Sequence, residues 1–167
     1  AIATYERPVK VDPAIIDVVT RSFEFSRLSG GAFDVTYASV GYLYDYRTHV
    51  HPSDAQIAAA LPGVDYRQLR VDRDASTIQF MRPGMRIDLG GIAKGWAVDR
   101  GVAILEQLGI EHAMVNAGGD TRLLGDRRGK PWVVGIRDPR KEGAVVARIP
   151  LQDEALSTSG DYERYFE

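Results

Sequence analysis

Apolar residues recur at helical spacing in two long stretches of the chain and alternate with polar residues in several short ones. Ile15, Ile16, Val19 and Phe23 share one face at a period of 3.6. They follow Asp12-Pro13, an N-cap with proline at the first helical position. Gly30-Gly31 then closes the helix. The second long helix begins after Gly91 and runs to about Leu108. It gathers Ala93, Ala97, Val98, Gly101, Val102, Ile104, Leu105 and Leu108 on one broad side, with Asp99, Arg100, Glu106 and Gln107 opposite, near Trp96. Between them, Ser53-Asp54-Ala55-Gln56 is a capping box that opens a short helix through Ala60, ended by Pro62-Gly63.

The shorter patterns predict strands. A weak alternation over residues 1–11 ends in Val9-Lys10-Val11 and reads as an edge strand. Tyr66 to Val71 and Thr77 to Met81 read as a hairpin, and Met85 to Leu89 as a further short strand. His112 to Val115 and Thr121 to Leu124 flank a glycine pair. Trp132 to Arg137 pairs with Ala144 to Leu151, with Trp132, Val134 and Ile136 on one face. The tyrosine-rich stretch Tyr37 to Arg47 reads as irregular.

Composition narrows the picture. A length of 167 residues favours one domain spanning 1–167, long enough for a real core. The net charge of −2, without a basic stripe, argues against a nucleic-acid partner. With no cysteine, disulfides and thiolate metal sites are impossible. No apolar run approaches the roughly 18–20 residues of a membrane-spanning helix, and no signal peptide is present. The first residue is not Met and the last are Tyr-Glu-Arg-Tyr-Phe-Glu, so the domain is expected to be truncated at both ends. His49 and His51 flank Val50 and could share a strand side as metal ligands, but their loop-like neighbours favour an exposed pair.

The chemistry concentrates in Met85 to Gly95, Met-Arg-Ile-Asp-Leu-Gly-Gly-Ile-Ala-Lys-Gly, a strand, a two-glycine turn and a helix start. Glycines let a ligand approach the backbone, and the helix start points free N–H groups and a positive dipole end at the turn. Lys94 adds a positive charge and Asp88 a carboxylate, a pairing that suits a phosphate arriving with a divalent metal. The stretch lacks the glycine spacing of dinucleotide-binding turns and the Gly-Lys-Ser/Thr of a P-loop, so a tight packing connection is an equal reading on physics alone. Three other glycine corners carry polar groups. At Ala32-Phe33-Asp34, Phe33 reads as core and Asp34 as a turn or cap residue before either reads as a ligand. Asn116-Ala117-Gly118-Gly119-Asp120 reads as a bulge or tight turn. In Ala155 to Tyr162, the hydroxyls of Ser157, Thr158 and Ser159 read as satisfying turn backbone.

Taken together and in order, Gly-Gly-Ala-Phe-Asp (30–34), Asp-Leu-Gly-Gly-Ile-Ala-Lys-Gly (88–95), Asn-Ala-Gly-Gly-Asp (116–120) and Ser-Thr-Ser-Gly-Asp-Tyr (157–162) closely resemble the FAD:protein FMN transferases, the ApbE family. The resemblance implies a two-layer α/β (α+β) fold with a largely antiparallel sheet and flanking helices, like T-fold proteins. It implies a Mg²⁺-dependent enzyme that splits the FAD pyrophosphate, joins FMN through its phosphate to a Ser or Thr of a target flavoprotein, and releases AMP. The target is typically a subunit of a membrane redox complex, and the location periplasmic or membrane-anchored. By position, Ala32, Phe33, Asp34, Asp88 and Lys94 match FAD-contacting residues, and Gly91 a metal ligand acting through its carbonyl. Asn116, Gly118, Gly119, Asp120 and Ser159 match motifs lining the same cleft, and no residue is assigned a catalytic role.

Further metal ligands of the family, a His near Asp-Pro-x-x-Gly and then an Asp and a Ser/Thr, have no counterpart in this sequence, nor has an N-terminal FAD-contacting segment. The chain is therefore expected to hold part of the metal site and to be inactive alone, which isothermal titration of FAD with and without Mg²⁺ tests. Two alternatives stand beside the transferase: an FAD pyrophosphatase giving FMN and AMP, and a non-catalytic FAD-binding protein.

Overall fold

The computed structural model describes residues 5–45, 47–138, 140–141 and 143–159. Contacts divide the chain into two compact units, one up to Ile92 and one from Ala93 onward.

The first unit holds β1 (Val9–Lys10), α1 (Pro13–Leu28), α2 (Ala38–Gly41), α3 (Asp54–Ala60), β2 (Leu69–Asp72) and β3 (Thr77–Phe80). Its sheet is antiparallel in the order β1-β3-β2, with Val9 opposite Ile78 and Leu69 opposite Phe80. β1 is an edge strand confined to Val9–Lys10 of the alternating stretch 1–11, of which residues 1–4 lie outside the described residues. α1 starts where expected, Asp12 accepting from the Ala14 N–H at 2.8 Å. At its end Gly31 donates to Ser26 O at 2.8 Å and Gly30 to Arg27 O at 3.2 Å. These are the paired bonds of a Schellman motif, and both glycines have positive φ. The helix lays Ile16 and Val19 on the sheet, where they form one core with Leu69, Ile78, Phe80 and Met85. Ile15 and Phe23 pack against its margin. The Ser53–Gln56 capping box forms with both reciprocal bonds. Ser53→Ala is expected to lower this unit's stability by about 1 kcal/mol, read from the urea midpoint.

Three expectations for this unit need correction. Tyr66–Gln68 is a 3₁₀ turn, with Asp65 accepting from the Arg67 N–H, so the first hairpin strand starts at Leu69 and not at Tyr66. Met85 to Leu89 joins no ladder: its Asp88 N–H donates to Val35 O at 2.9 Å and its Arg86 N–H to the Ser39 hydroxyl at 3.0 Å. The segment is extended with Met85 buried and Ile87 and Leu89 half-buried, so it has a strand's period without a strand's partner. Within Tyr37 to Arg47 there is regular structure, a 3₁₀ turn over Val35–Tyr37 followed by α2. Tyr46, the last of the four tyrosines there, lies outside the described residues.

The second unit holds α4 (Ala93–Gln107), β4 (Ala113–Ala117), β5 (Asp120–Leu124), β6 (Trp132–Arg137), β7 (Val145–Leu151) and β8 (Ala155–Ser157). Two antiparallel sheets run β4-β5-β8 and β6-β7. α4 buries Val98 and Val102, and Gly101 lets it approach β4 so closely that a Cβ there would sit 3.0 Å from Val115 Cγ1. The apolar side of α4 is narrower than the helical wheel predicts. Ile104 and Leu108 are 51% and 72% exposed, and Ala97 is also exposed, because only the stripe through Val98, Gly101, Val102 and Leu105 turns inward. Trp132, Val134 and Ile136 are half-buried on one face of β6 as expected, with Val133 and Arg137 exposed opposite. Each unit layers helix on antiparallel sheet, which is the expected fold class. Among the described residues no helix is long and apolar enough to cross a membrane.

Candidate functional site

The stretch Met85 to Gly95 is divided between the units, Asp88, Gly90 and Gly91 in the first and Lys94 and Gly95 in the second. In the first unit, Asp88 is exposed and accepts from Gly90 N–H at 2.6 Å, closing an Asx turn. A Cβ on Gly90 would come within 2.9 Å of Asp88 Oδ1, so a side chain there would displace the carboxylate from this turn. A Cβ on Gly91 would lie 3.3 Å from Phe33 Cε2. The structure thus brings Phe33, Asp88 and Gly91 together, three of the residues marked by the sequence.

Phe33 is half-buried and meets Phe25 edge-on, with centroids 6.3 Å apart. Asp34 is spent on structure: Oδ1 accepts from Thr36 N–H at 2.8 Å and Thr36 Oγ1 at 2.6 Å, and Oδ2 from Tyr66 N–H at 2.9 Å. That is the cap role its turn position predicts. Ala32, beside them, is exposed.

Beside Asp34 lies a cavity of about 380 Å³ that sequence reasoning missed, lined by residues including Arg27, Gly31, Asp65, Tyr66 and Arg67. Here the Arg67 guanidinium holds the Asp65 carboxyl below its ordinary range, against the opposing cost of its partial burial. A depressed carboxyl contributes stability above its unfolded value and loses it as pH falls through its folded value. Asp65→Asn is therefore expected to shrink the drop in urea midpoint between neutral pH and pH below about 4. An unchanged drop counts against the pair.

In the second unit, β4 and β5 close over Gly118-Gly119, with Ala117 opposite Asp120. Both glycines have positive φ, +54° and +96°, as a two-residue type I′ hairpin turn requires. Lys94, in the first turn of α4, donates from Nζ to Gly118 O at 3.2 Å. Asp120 is half-buried, and its Oδ1 accepts from Ser157 Oγ at 2.6 Å. Thr158 donates to Gly119 O from both its N–H and its Oγ1, each at 3.1 Å. Lys94, Gly118, Gly119 and Asp120 therefore form one connected group. Asn116 turns to the hairpin instead, Nδ2 donating to Thr121 Oγ1 at 2.6 Å. Ser159 is exposed and bonds no other described residue, and Gly160 to Tyr162 of the same motif lie outside the described residues. Ser157 and Thr158 are the members of this bonded group that the sequence undervalued. Their hydroxyl-rich run was the signal, but the backbone they satisfy belongs to a turn 39 residues away for Thr158.

The chemical capacity of this group is anion binding. Lys94 pairs with no carboxylate among the described residues, and the leading N–H groups of α4 add to its field. The carbonyl and carboxylate oxygens near both glycine turns are of the type Mg²⁺ prefers, but no three His, Cys, Asp or Glu side chains gather around a metal among the described residues. His49 and His51 are exposed and belong to no such group. These residues alone do not complete a metal shell, Gly91 included.

A family model described as ApbE family matches residues 2–167. Over 95% of its length the chain is 35% identical to the FAD:protein FMN transferase of Rhodobacter capsulatus, covering 31% of that protein. It is 33% identical over 96% of its length to that of Haemophilus influenzae, covering 49% of it. Among solved structures, the ApbE protein of Thermotoga maritima aligns with TM-score 0.84 and 36% identity, over 97% of this chain and 54% of that one. The flavin transferase ApbE of Vibrio cholerae aligns with TM-score 0.81 and 32% identity, over 96% and 53%. The chain spans about half the length of such relatives, or less.

Proposed function

Because the chain belongs to the ApbE family, we propose that it works in FAD:protein FMN transfer. In this reading a Ser or Thr hydroxyl of a flavoprotein attacks the FMN-side phosphorus of FAD. A new P–O bond forms, the bond to the AMP phosphate breaks, and the hydroxyl proton is released. The observation that carries the reading is Lys94, an ammonium held on Gly118 O without a carboxylate partner among the described residues, at the first turn of a 15-residue helix.

Phosphoryl transfer asks chiefly for positioning and for cancellation of negative charge. Lys94 and the leading N–H groups of α4 meet both needs for a diphosphate. Gly118 and Gly119 keep side chains away from the turn where such a group would approach. In the first unit, the half-buried Phe33 ring lies beside Gly91 and would offer an aromatic surface for a flavin or adenine ring. The proposal extends, on family resemblance, to a Mg²⁺ requirement with the Gly91 carbonyl as one ligand. It likewise extends to an acceptor subunit in a membrane redox complex and to a periplasmic or membrane-anchored location.

The test is incubation with FAD, Mg²⁺ and a candidate acceptor flavoprotein, followed by flavin fluorescence of the denatured acceptor. Covalent fluorescence supports the transferase. Free FMN and AMP without labelling would replace it with a pyrophosphatase, and FAD binding without turnover would replace it with a binding protein.

A further inference from the structure

Two residues of the turn that receives Lys94, Gly119 and Asp120, are tied from β8 or just beyond it. Asp120 is held by Ser157 Oγ at 2.6 Å, and Gly119 O by two donors of Thr158 at 3.1 Å. β8 also pairs directly with β5, placing Ser157 opposite Asp120. The steric fit is close on both glycines. A Cβ on Gly118 would stand 3.2 Å from Lys94 Cδ, and one on Gly119 would stand 3.1 Å from Thr158 Oγ1. The lysine stem packs at Gly118 and the threonine at Gly119.

An exposed lysine ordinarily samples many rotamers, and fixing it costs entropy. Here a neutral backbone carbonyl orders the ammonium, and no carboxylate among the described residues pairs with it. The carbonyl can do so only while the turn keeps its shape. Ser157, Thr158 and Asp120 are exposed or half-buried, so this cluster is not a buried core in which hydroxyls merely answer buried donors.

We propose that Ser157 and Thr158 are positioning residues for Lys94, clamping the Gly118–Asp120 turn so that the Gly118 carbonyl presents the ammonium to an anionic ligand. For the identity of that ligand as the FAD diphosphate the inference rests on the function proposed above. The positioning itself can be read without any flavin.

Two measurements on the whole chain separate the two. The first is the ¹⁵N signal of the Lys94 ammonium. It is expected to be visible and protected from exchange in the parent chain, broadened or lost in Ser157→Ala and in Thr158→Val, and kept in Thr158→Ser. An unchanged signal in both Ser157→Ala and Thr158→Val overturns the positioning role, whatever the chain binds. The second is flavin fluorescence titration with FAD and, as a phosphate-free probe, riboflavin. Ser157→Ala is expected to weaken FAD by about fivefold, the scale of one lost hydrogen bond, and to leave riboflavin unaffected. In a Lys94→Met background the same substitution is expected to change FAD affinity by less than about twofold, because the two act as one unit. Equal weakening of both flavins, or full additivity with Lys94→Met, overturns the inference. A protected ammonium signal in a chain that does not bind FAD leaves the positioning standing and removes the flavin reading.

Discussion

Gly125→Ala is expected to destabilise the second unit by about 3–5 kcal/mol, the largest effect expected of alanine at any of the described glycines. Gly125 follows directly on β5, with φ of +58°. β5 and β4 are in register at Leu124 and Ala113, so Gly125 faces the residues that lead into β4. An alanine Cβ would fall inside the van der Waals envelope of the Glu111 carbonyl oxygen and stand 2.8 Å from His112 Nδ1. Neither neighbour can yield cheaply. One is backbone, and His112 Nδ1 accepts from the Asp126 N–H at 3.3 Å. Gly125 N–H is itself held by Asp153 Oδ1 at 2.5 Å. Relief would require the end of the hairpin to splay. Gly129→Ala is the control: its φ is +85° but nothing lies within 4 Å of the added Cβ, so only backbone strain of about 1 kcal/mol is expected. Both tryptophans, Trp96 and Trp132, lie in the second unit, so urea unfolding followed by their fluorescence reads the effect there. Equal losses in the two variants would refute the clash.

That contrast also marks how far the sequence could be read. Features closed within a few residues were legible, because their physics is local. The Asp12 cap, the Gly30-Gly31 closure of α1 and the Ser53–Gln56 box all involve partners at most five residues apart. Strand order in the hairpins was legible for the same reason. The period-2 burial of Met85 to Leu89 was also real, but period alone does not say where N–H groups go, and here they go to Val35 and Ser39. Ile104 and Leu108 fit the helical wheel, yet the wheel cannot say how wide a face the neighbouring sheet will cover.

The candidate site was legible as motifs and opaque as geometry. Asp34 finds Tyr66 across 32 residues, Lys94 finds Gly118 across 24, and Ser157 finds Asp120 across 37. Such pairings depend on how strands register, which no local pattern encodes. This is why the glycine pair at 118–119 read as a bare turn and the hydroxyls after Leu156 as local caps, when each supports the other.

The largest functional effect is expected from Lys94→Met. It keeps the length and most of the apolar stem while removing the charge. A contact between an ammonium and a phosphate is a charge-assisted hydrogen bond, worth about 1.5–3 kcal/mol, so FAD affinity should fall by roughly 10- to 100-fold. Riboflavin, which lacks the diphosphate, should bind both forms alike. Stability should stay within about 0.5 kcal/mol of the parent, because Lys94 is exposed and its one bond among the described residues is to a carbonyl at 3.2 Å. Salt separates this account from a packing effect. Added salt should weaken FAD binding to the parent chain and weaken it less in the variant, since an exposed charge is screened over a Debye length of about 8 Å near physiological ionic strength. Lys94→Arg should recover only part of the affinity. A planar fork cannot replace a compact ammonium beside Gly118, where the stem already passes 3.2 Å from the position of a Cβ. Fluorescence titration of FAD into the three chains decides the matter. An unchanged FAD affinity in Lys94→Met would remove the anion site from this turn, and with it the observation on which the transferase reading stands.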